Sequence, residues 1–199
     1  MIDTAAELDL RRVVVVGTSG CGKTTFAREL SGLLDAPHVE LDALYWQPNW
    51  VARPLAEFRG LVAREAAGER WVVDGNYSNV RDLLWRRATG VLWLNYPFVT
   101  VFFRAVSRTI GRAVSREELF SGNRESFRQS FFSRDSILLW VLQTFSRNRT
   151  RYAELRTAAE WRHIQFCEFH RPSDASAFLL RCGFRRQEYA VETAALRLD

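Results

Sequence analysis

Arg12-Val13-Val14-Val15-Val16-Gly17-Thr18-Ser19-Gly20-Cys21-Gly22-Lys23-Thr24-Thr25 decides the fold. Four consecutive valines read as a strand buried on both faces of a parallel sheet, because a half-exposed strand would alternate apolar with polar residues. Gly17 to Thr24 then completes the pattern G-x-x-x-x-G-K-[ST]. Such a loop turns backbone N–H groups around a phosphate and presents it to the positive end of the next helix. That helix is expected over Lys23 to Leu34, with Phe26, Leu30, Leu33 and Leu34 on one stripe and Pro37 beyond its end. A chance glycine-rich turn would not need this strand–loop–helix context.

Of the 28 basic residues, 27 are Arg and one is Lys, and that one is Lys23. An Arg excess can follow from coding composition and needs no function. The bias nevertheless stops at the position where a compact ammonium, not a planar guanidinium, fits between β- and γ-phosphates.

Working outward, strands and helices alternate. His38-Val39-Glu40-Leu41 predicts a second strand ending at Asp42, and Pro54 to Ala67 a helix. Trp71-Val72-Val73-Asp74 is the third strand, stopped by Gly75-Asn76. Val80 to Arg87 is a short helix, and Val91-Leu92-Trp93-Leu94 the fourth strand. A helix over Phe98 to about Val114 carries Arg104, Arg108 and Arg112. Ser115 to Arg134 is polar and Arg-rich, and Ser136 to Leu155 is helical. Ile164 to Cys167 is the fifth strand. Ser173 to Cys182 reads as a helix with Ser173 as N-cap and Gly183 just past its end. Strands interleaved with helices predict a parallel α/β sheet.

The chain has 199 residues and 47% hydrophobic content, enough for one domain with a substantial core. A net charge of +5 favours anionic ligands: nucleotides, and nucleic acid unless the charge is a generic Arg-rich surface. Cys21, Cys167 and Cys182 form no C-x-x-C pair and fit a reduced, cytoplasmic compartment. The acidic, polar start is unlike a signal peptide, and the apolar stretch Val91 to Phe103 is too short and interrupted to span a bilayer.

Several residues are candidates for chemistry. Gly17, Thr18, Ser19, Gly20, Cys21, Gly22, Lys23, Thr24 and Thr25 would bind the phosphates, with Lys23 at the β/γ-phosphates and Thr24 on Mg²⁺. Cys21 serves as a small residue in the loop. Asp74, at a strand's carboxyl end, either holds a Mg²⁺-bound water or starts a turn. Asp42 either orients an acceptor hydroxyl and takes its proton or caps a turn. Arg104, Arg108 and Arg112 share a helix face, and Arg116, Arg124, Arg128 and Arg134 follow. They either clamp a transferring phosphoryl group or form a solvated basic face. Tyr45, Trp46 and Trp50 are either a stacking wall or core, while Trp85, Trp93, Phe102, Phe103 and Trp140 are expected in the core. His38, His163 and His170 lack metal-ligand spacing, and His38 and His163, which begin predicted strands, read as structural.

With those elements placed, the chain resembles adenylate-kinase-like P-loop kinases, and within them the topology modulation (FlaR-like) proteins. The strings that carry the likeness are Gly17 to Thr25, Leu41-Asp42-Ala43-Leu44-Tyr45-Trp46, Val73-Asp74-Gly75-Asn76-Tyr77, Gly122 to Ser126 and Ser133 to Ile137. The resemblance implies a three-layer fold with five parallel strands in the order 2-3-1-4-5. It also implies an acceptor region over about 42–70 and a lid over about 112–134. The chain departs from adenylate kinases where their Phe-Pro-Arg after the strand-end Asp-Gly becomes Asn76-Tyr77-Ser78. Its acceptor region is short, nearer in length to kinases of small metabolites. The expectation is an ATP- and Mg²⁺-dependent phosphotransferase or NTPase acting on a nucleotide or small hydroxyl metabolite. Lys23, Asp42, Arg108, Arg112 and Arg124 would be its catalytic residues. The alternative is a nucleic-acid-associated regulatory NTPase, for which no recognised nucleic-acid motif is present.

Overall fold

The computed structural model describes residues 8–115 and 137–195, with side chains over 8–111 and 143–184. The valine run forms β1 (Arg12–Gly17) at the centre of a five-stranded sheet. On one side it pairs in parallel with β5 (Trp71–Asp74), which in turn pairs with β2 (His38–Glu40). On the other side it pairs with β6 (Gly90–Leu94), followed by β7 (Gln165–Phe169). Counting only these strands in chain order, the arrangement is 2-3-1-4-5, as expected.

The valines explain the layering. Val13 and Val15 face a core built with Phe26, Ala27 and Leu30 of α1 (Lys23–Leu34), Val101 and Ala105 of α5 (Phe98–Ser115), and Ala175 and Phe178 of α7 (Pro172–Ala195). Val14 and Val16 face the opposite core. It is built with Phe58 and Val62 of α3 (Leu55–Glu65), Leu84 and Trp85 of α4 (Arg81–Trp85), and Tyr152 of α6 (Ile137–Thr157). Period-2 alternation thus splits one apolar run between two helix layers.

Register places the strand ends. Val15 and Glu40 both pair with Asp74, so the carboxyl ends of β2, β5 and β1 lie side by side. β2 stops at Glu40, earlier than expected, and Asp42 falls in the first turn of the short helix α2 (Leu41–Tyr45). A hairpin absent from the sequence reading follows, pairing β3 (Trp46–Gln47) with β4 (Val51–Ala52). Its tip holds Asn49 and Trp50 at φ 62° and 55°, the left-handed region that a Trp rarely enters.

Two other expectations are corrected. Helix α7 runs from Pro172 through Gly183 to Ala195. Pro172 opens it, and the Arg171 N–H donates to Asp174 Oδ2 at 3.1 Å, so Ser173 is not the cap. Phe103, expected in the core, is 65% exposed, whereas Trp85 and Trp93 are buried. The Trp140 side chain lies outside the described residues. Among the described residues no helix is long and apolar enough to cross a membrane.

Candidate functional site

The loop Thr18–Gly22 joins β1 to α1 at the carboxyl edge of the sheet. The Cys21 N–H closes a turn onto the Thr18 carbonyl at 3.1 Å. Gly20 has φ 86°, and a Cβ there would come within 2.8 Å of the Ala105 Cβ, so the loop lies directly on α5. Gly22, at φ 99°, is the N-cap of α1 and offers no side-chain cap, which leaves the helix's first N–H groups facing outward. Lys23 Nζ donates to the Thr18 carbonyl at 3.3 Å, held over the loop. Cys21 is fully buried, and burial pushes its thiol pKa up against the pull of Lys23, Arg108 and Arg104. It is a packing residue and not a nucleophile.

Arg104 reaches the loop from α5. Its Nη1 donates to the Cys21 carbonyl at 2.9 Å, and its guanidinium lies 5.3 Å from the centre of the Tyr96 ring. The i, i+4 spacing puts Arg108 on the same side of α5 as this contact. The Arg112 side chain lies outside the described residues, as do Arg116, Arg124, Arg128 and Arg134 entirely.

Three carboxylates gather on the β2–β5 side. Thr24 Oγ1 donates to Glu40 Oε1 at 3.1 Å. The Glu40 pKa is raised, first by burial and then by the charge of Asp74 and, more weakly, Asp42. Asp74 is 2% exposed, and its Oδ1 makes no hydrogen bond; His38 Nε2 stands 3.5 Å away, also without one. Tyr77 donates to Asp42 Oδ1 at 2.6 Å, and the Trp46 indole donates to the Tyr77 hydroxyl. Burial and the adjoining Asp42 charge raise the Tyr77 pKa strongly, so the phenol stays a donor at neutral pH.

Thr24 and Asp74 fit a hard cation beside bound phosphates. One is a hydroxyl at a helix start. The other is a buried carboxylate with an unsatisfied oxygen. Mg²⁺ is typically held by one or two protein oxygens plus water and phosphate. No group of three His, Cys, Asp or Glu side chains able to enclose a metal occurs among the described residues.

The aromatic residues do form a wall. Tyr45 packs against Trp46, Phe58 and Tyr77 at 4.9, 5.1 and 4.8 Å between ring centres, and Trp46 meets Trp50 at 5.7 Å. Phe58 is fully buried, whereas Tyr45, Trp46 and Trp50 are half-buried, so the cluster is core on one side and surface on the other.

Sequence reasoning missed Glu40 and Asn76 as site residues. Asn76 Nδ2 donates to the Gly17 carbonyl at 2.6 Å. Its Oδ1 accepts from the Gly17 N–H at 3.3 Å and from the Tyr152 hydroxyl at 2.8 Å. Glu40 resembles any outward strand position, and only its register against Asp74 reveals it. Asn76 directly follows the strand-end Asp-Gly, a usable signal, but Tyr152 has none. A cavity of about 510 Å³ opens at the other end of the sheet, lined by Asp9, Arg12, Arg87 and His163 among others. Arg12 is tied there to Glu69 and the Arg87 carbonyl, and Arg87 to the Ala66 and Gly68 carbonyls, so those groups brace loops.

No protein-family model matches the chain. The ATP-dependent protease ATPase subunit HslU of Exiguobacterium sibiricum is 28% identical over 139 residues, 60% of this chain and 30% of that protein. The chain therefore spans under a third of that relative's length. Among solved structures, a gluconokinase from Sinorhizobium meliloti 1021 matches with TM-score 0.51 and 16% identity, over 94% of this chain and 99% of that one. A shikimate kinase from Bacteroides thetaiotaomicron matches with TM-score 0.51 and 17% identity, over 86% and 95% of the two chains. Shikimate kinase from Acinetobacter baumannii, in complex with shikimate, matches with TM-score 0.50 and 16% identity, over 98% of each. The chain has the fold of P-loop kinases.

Proposed function

We propose that this protein transfers the γ-phosphoryl group of ATP to a small hydroxyl metabolite. One observation carries the reading. A complete phosphate loop with its lysine lies beside Glu40 and Asp74 of adjacent strands and Asp42 of the helix that follows, in a fold shared with a gluconokinase and shikimate kinases.

Phosphoryl transfer needs little covalent help from a protein; positioning and charge stabilisation do most of the work. The loop amides from Thr18 to Gly22 grip the phosphates. The Lys23 ammonium offsets charge at the β/γ-phosphates, and Thr24 and Asp74 hold Mg²⁺, which draws electron density from the phosphate oxygens when bound. Asp42 takes the acceptor hydroxyl's proton. Tyr77 fixes one of its oxygens. Arg108, Arg112 and Arg124 close over the transferring group. The reading treats all 199 residues as one domain, with the acceptor region over 42–70 and the lid over 112–134.

The test is ADP formation from ATP and Mg²⁺ over a panel of hydroxyl metabolites and nucleoside monophosphates. Lys23→Ala should lower kcat by about 10²–10³, the usual effect of removing one preorganised charge-stabilising contact. Turnover by well-folded Lys23→Ala equal to wild type would refute the reading.

A further inference from the structure

We infer that Trp50 selects the acceptor by seating a saturated ring, so that the acceptor is a cyclic polyol or sugar and not an open chain; this rests on the kinase reading above. The observation is a Trp held against its backbone preference beside the site. Trp50 has φ 55° and follows Asn49 at φ 62°, between β3 and β4. Where a hairpin needs two consecutive positive φ values, Asn-Gly is the common solution, because glycine carries no Cβ to clash. Asn49 fits that rule. Its successor is instead a bulky aromatic, for which a positive φ is an outlier that the surrounding structure must hold in place.

Core packing does not call for it. Pro48, Asn49, Val51 and Ala52 are exposed, so the hairpin tip lies at the surface, and the interior beneath is filled by the fully buried Phe58. Trp50 lies half-buried against Trp46, with ring centres 5.7 Å apart and ring planes at 79°. Contacts lead from there to the chemistry. The Trp46 indole donates to the Tyr77 hydroxyl, which donates to Asp42 Oδ1 at 2.6 Å. Only Trp46 and Tyr77 thus stand between the strained indole and the carboxylate that takes the acceptor's proton.

The edge-to-face geometry limits what fits. Tyr45 also meets Trp46 at 79°, so the rings form corners and not a parallel slot into which a flat base could slide. A saturated ring suits a corner. Its C–H face gains dispersion contacts on one aromatic plane, while the hydroxyls on its rim stay free to donate to a carboxylate such as Asp42. An open chain offers no such face and must freeze several torsions to lie against an indole. The wall therefore favours a rigid, hydroxylated ring over a flexible chain bearing similar hydroxyls.

The test compares ring with chain at matched carbon number: glucose with sorbitol, ribose with ribitol, and myo-inositol with mannitol, with guanosine as the flat-base control. Binding is read by saturation-transfer NMR with Mg²⁺ and a non-hydrolysable ATP analogue present, and turnover by ADP release with ATP. At least one ring should bind roughly threefold to tenfold tighter than its chain, the equivalent of one aromatic contact. Trp50→Phe should keep this preference. Trp50→Leu, which keeps apolar bulk without the flat ring, should lose it, in turnover as a raised KM at similar kcat. Trp50→Gly should melt above Trp50→Ala, since both delete the indole and only glycine is at ease at that φ. The inference is overturned if no ring binds better than its chain, if guanosine is preferred, or if Trp50→Leu keeps the full preference. Trp50→Gly melting no higher than Trp50→Ala overturns it as well. Failure of the nucleotide analogue to bind, read by calorimetry, refutes the kinase reading instead and takes this inference with it.

Discussion

Glu40 is where the site's charge is least comfortable. Burial and the neighbouring Asp74 and Asp42 charges lift its pKa above the ordinary glutamate value, and the Thr24 hydroxyl offsets this in part. A folded pKa above the unfolded one means that the folded state holds the proton more tightly. Stability is thus lost as pH climbs from about 4.3, the free glutamate value, through the folded pKa. Glu40→Gln keeps an acceptor for Thr24 and removes the charge. Its melting temperature should exceed wild type at pH 7, and the gap should close as pH falls to 4. A gap that is flat across this range, or reversed, would mean that repulsion among the carboxylates is not what Glu40 experiences. The sequence offers Asp42 and Asp74 as candidates because acids expected at strand ends face the ligand edge of an open α/β sheet, although Asp42 itself lies in α2. Glu40 is not among them, because its significance comes from pairing with Asp74, a contact 34 residues away in the chain.

At the scale of elements, the sequence reading succeeded where pattern is dense and failed where packing overrides local preference. The four-valine strand, the loop and α1 follow from period and from glycine spacing. The two-residue strands of the β3–β4 hairpin carry too little pattern to be read, and Trp50 at positive φ contradicts its own backbone preference. Gly183 is the reverse case. It reads as a helix terminator, yet α7 continues through it, because Ala175, Phe178 and Cys182 are buried on the core side of the same helix. The structure therefore fixes the sign of a substitution. A Cβ at Gly183 would meet only the Leu33 Cδ2 at 3.5 Å, an ordinary contact, with helical backbone around it. Gly183→Ala should stabilise the fold by roughly 0.5–1 kcal/mol in urea unfolding. Were Gly183 a left-handed terminator, the same change would destabilise by a similar amount, and that outcome would shorten α7.

Across the whole molecule, the phosphate loop is tied to a helix far away in sequence. Asn76 grips both backbone groups of Gly17, and its Oδ1 also accepts from Tyr152 of α6, whose buried hydroxyl has its pKa pushed up to about 12. Arg81 bonds the same hydroxyl, so β1, the turn after β5, α4 and α6 are joined by one chain of hydrogen bonds through Asn76 and Tyr152. No local pattern could announce this, since Tyr152 and Asn76 are 76 residues apart. The arrangement makes the start of the loop depend on the placement of α6. Tyr152→Phe keeps the ring against Trp93 and removes only the hydroxyl; it should cost about 1 kcal/mol, the net worth of a buried hydrogen bond. Asn76→Ala should cost more, because the Gly17 N–H and carbonyl both lose their partner. In a double-mutant cycle the pair should couple by about 0.5–3 kcal/mol, as members of one hydrogen-bond network do. The same cycle read in nucleotide affinity should also be non-additive, with Tyr152→Phe weakening binding several-fold although it touches no phosphate. Additive costs in both readouts would show that Asn76 holds the loop alone and that α6 only packs beside it.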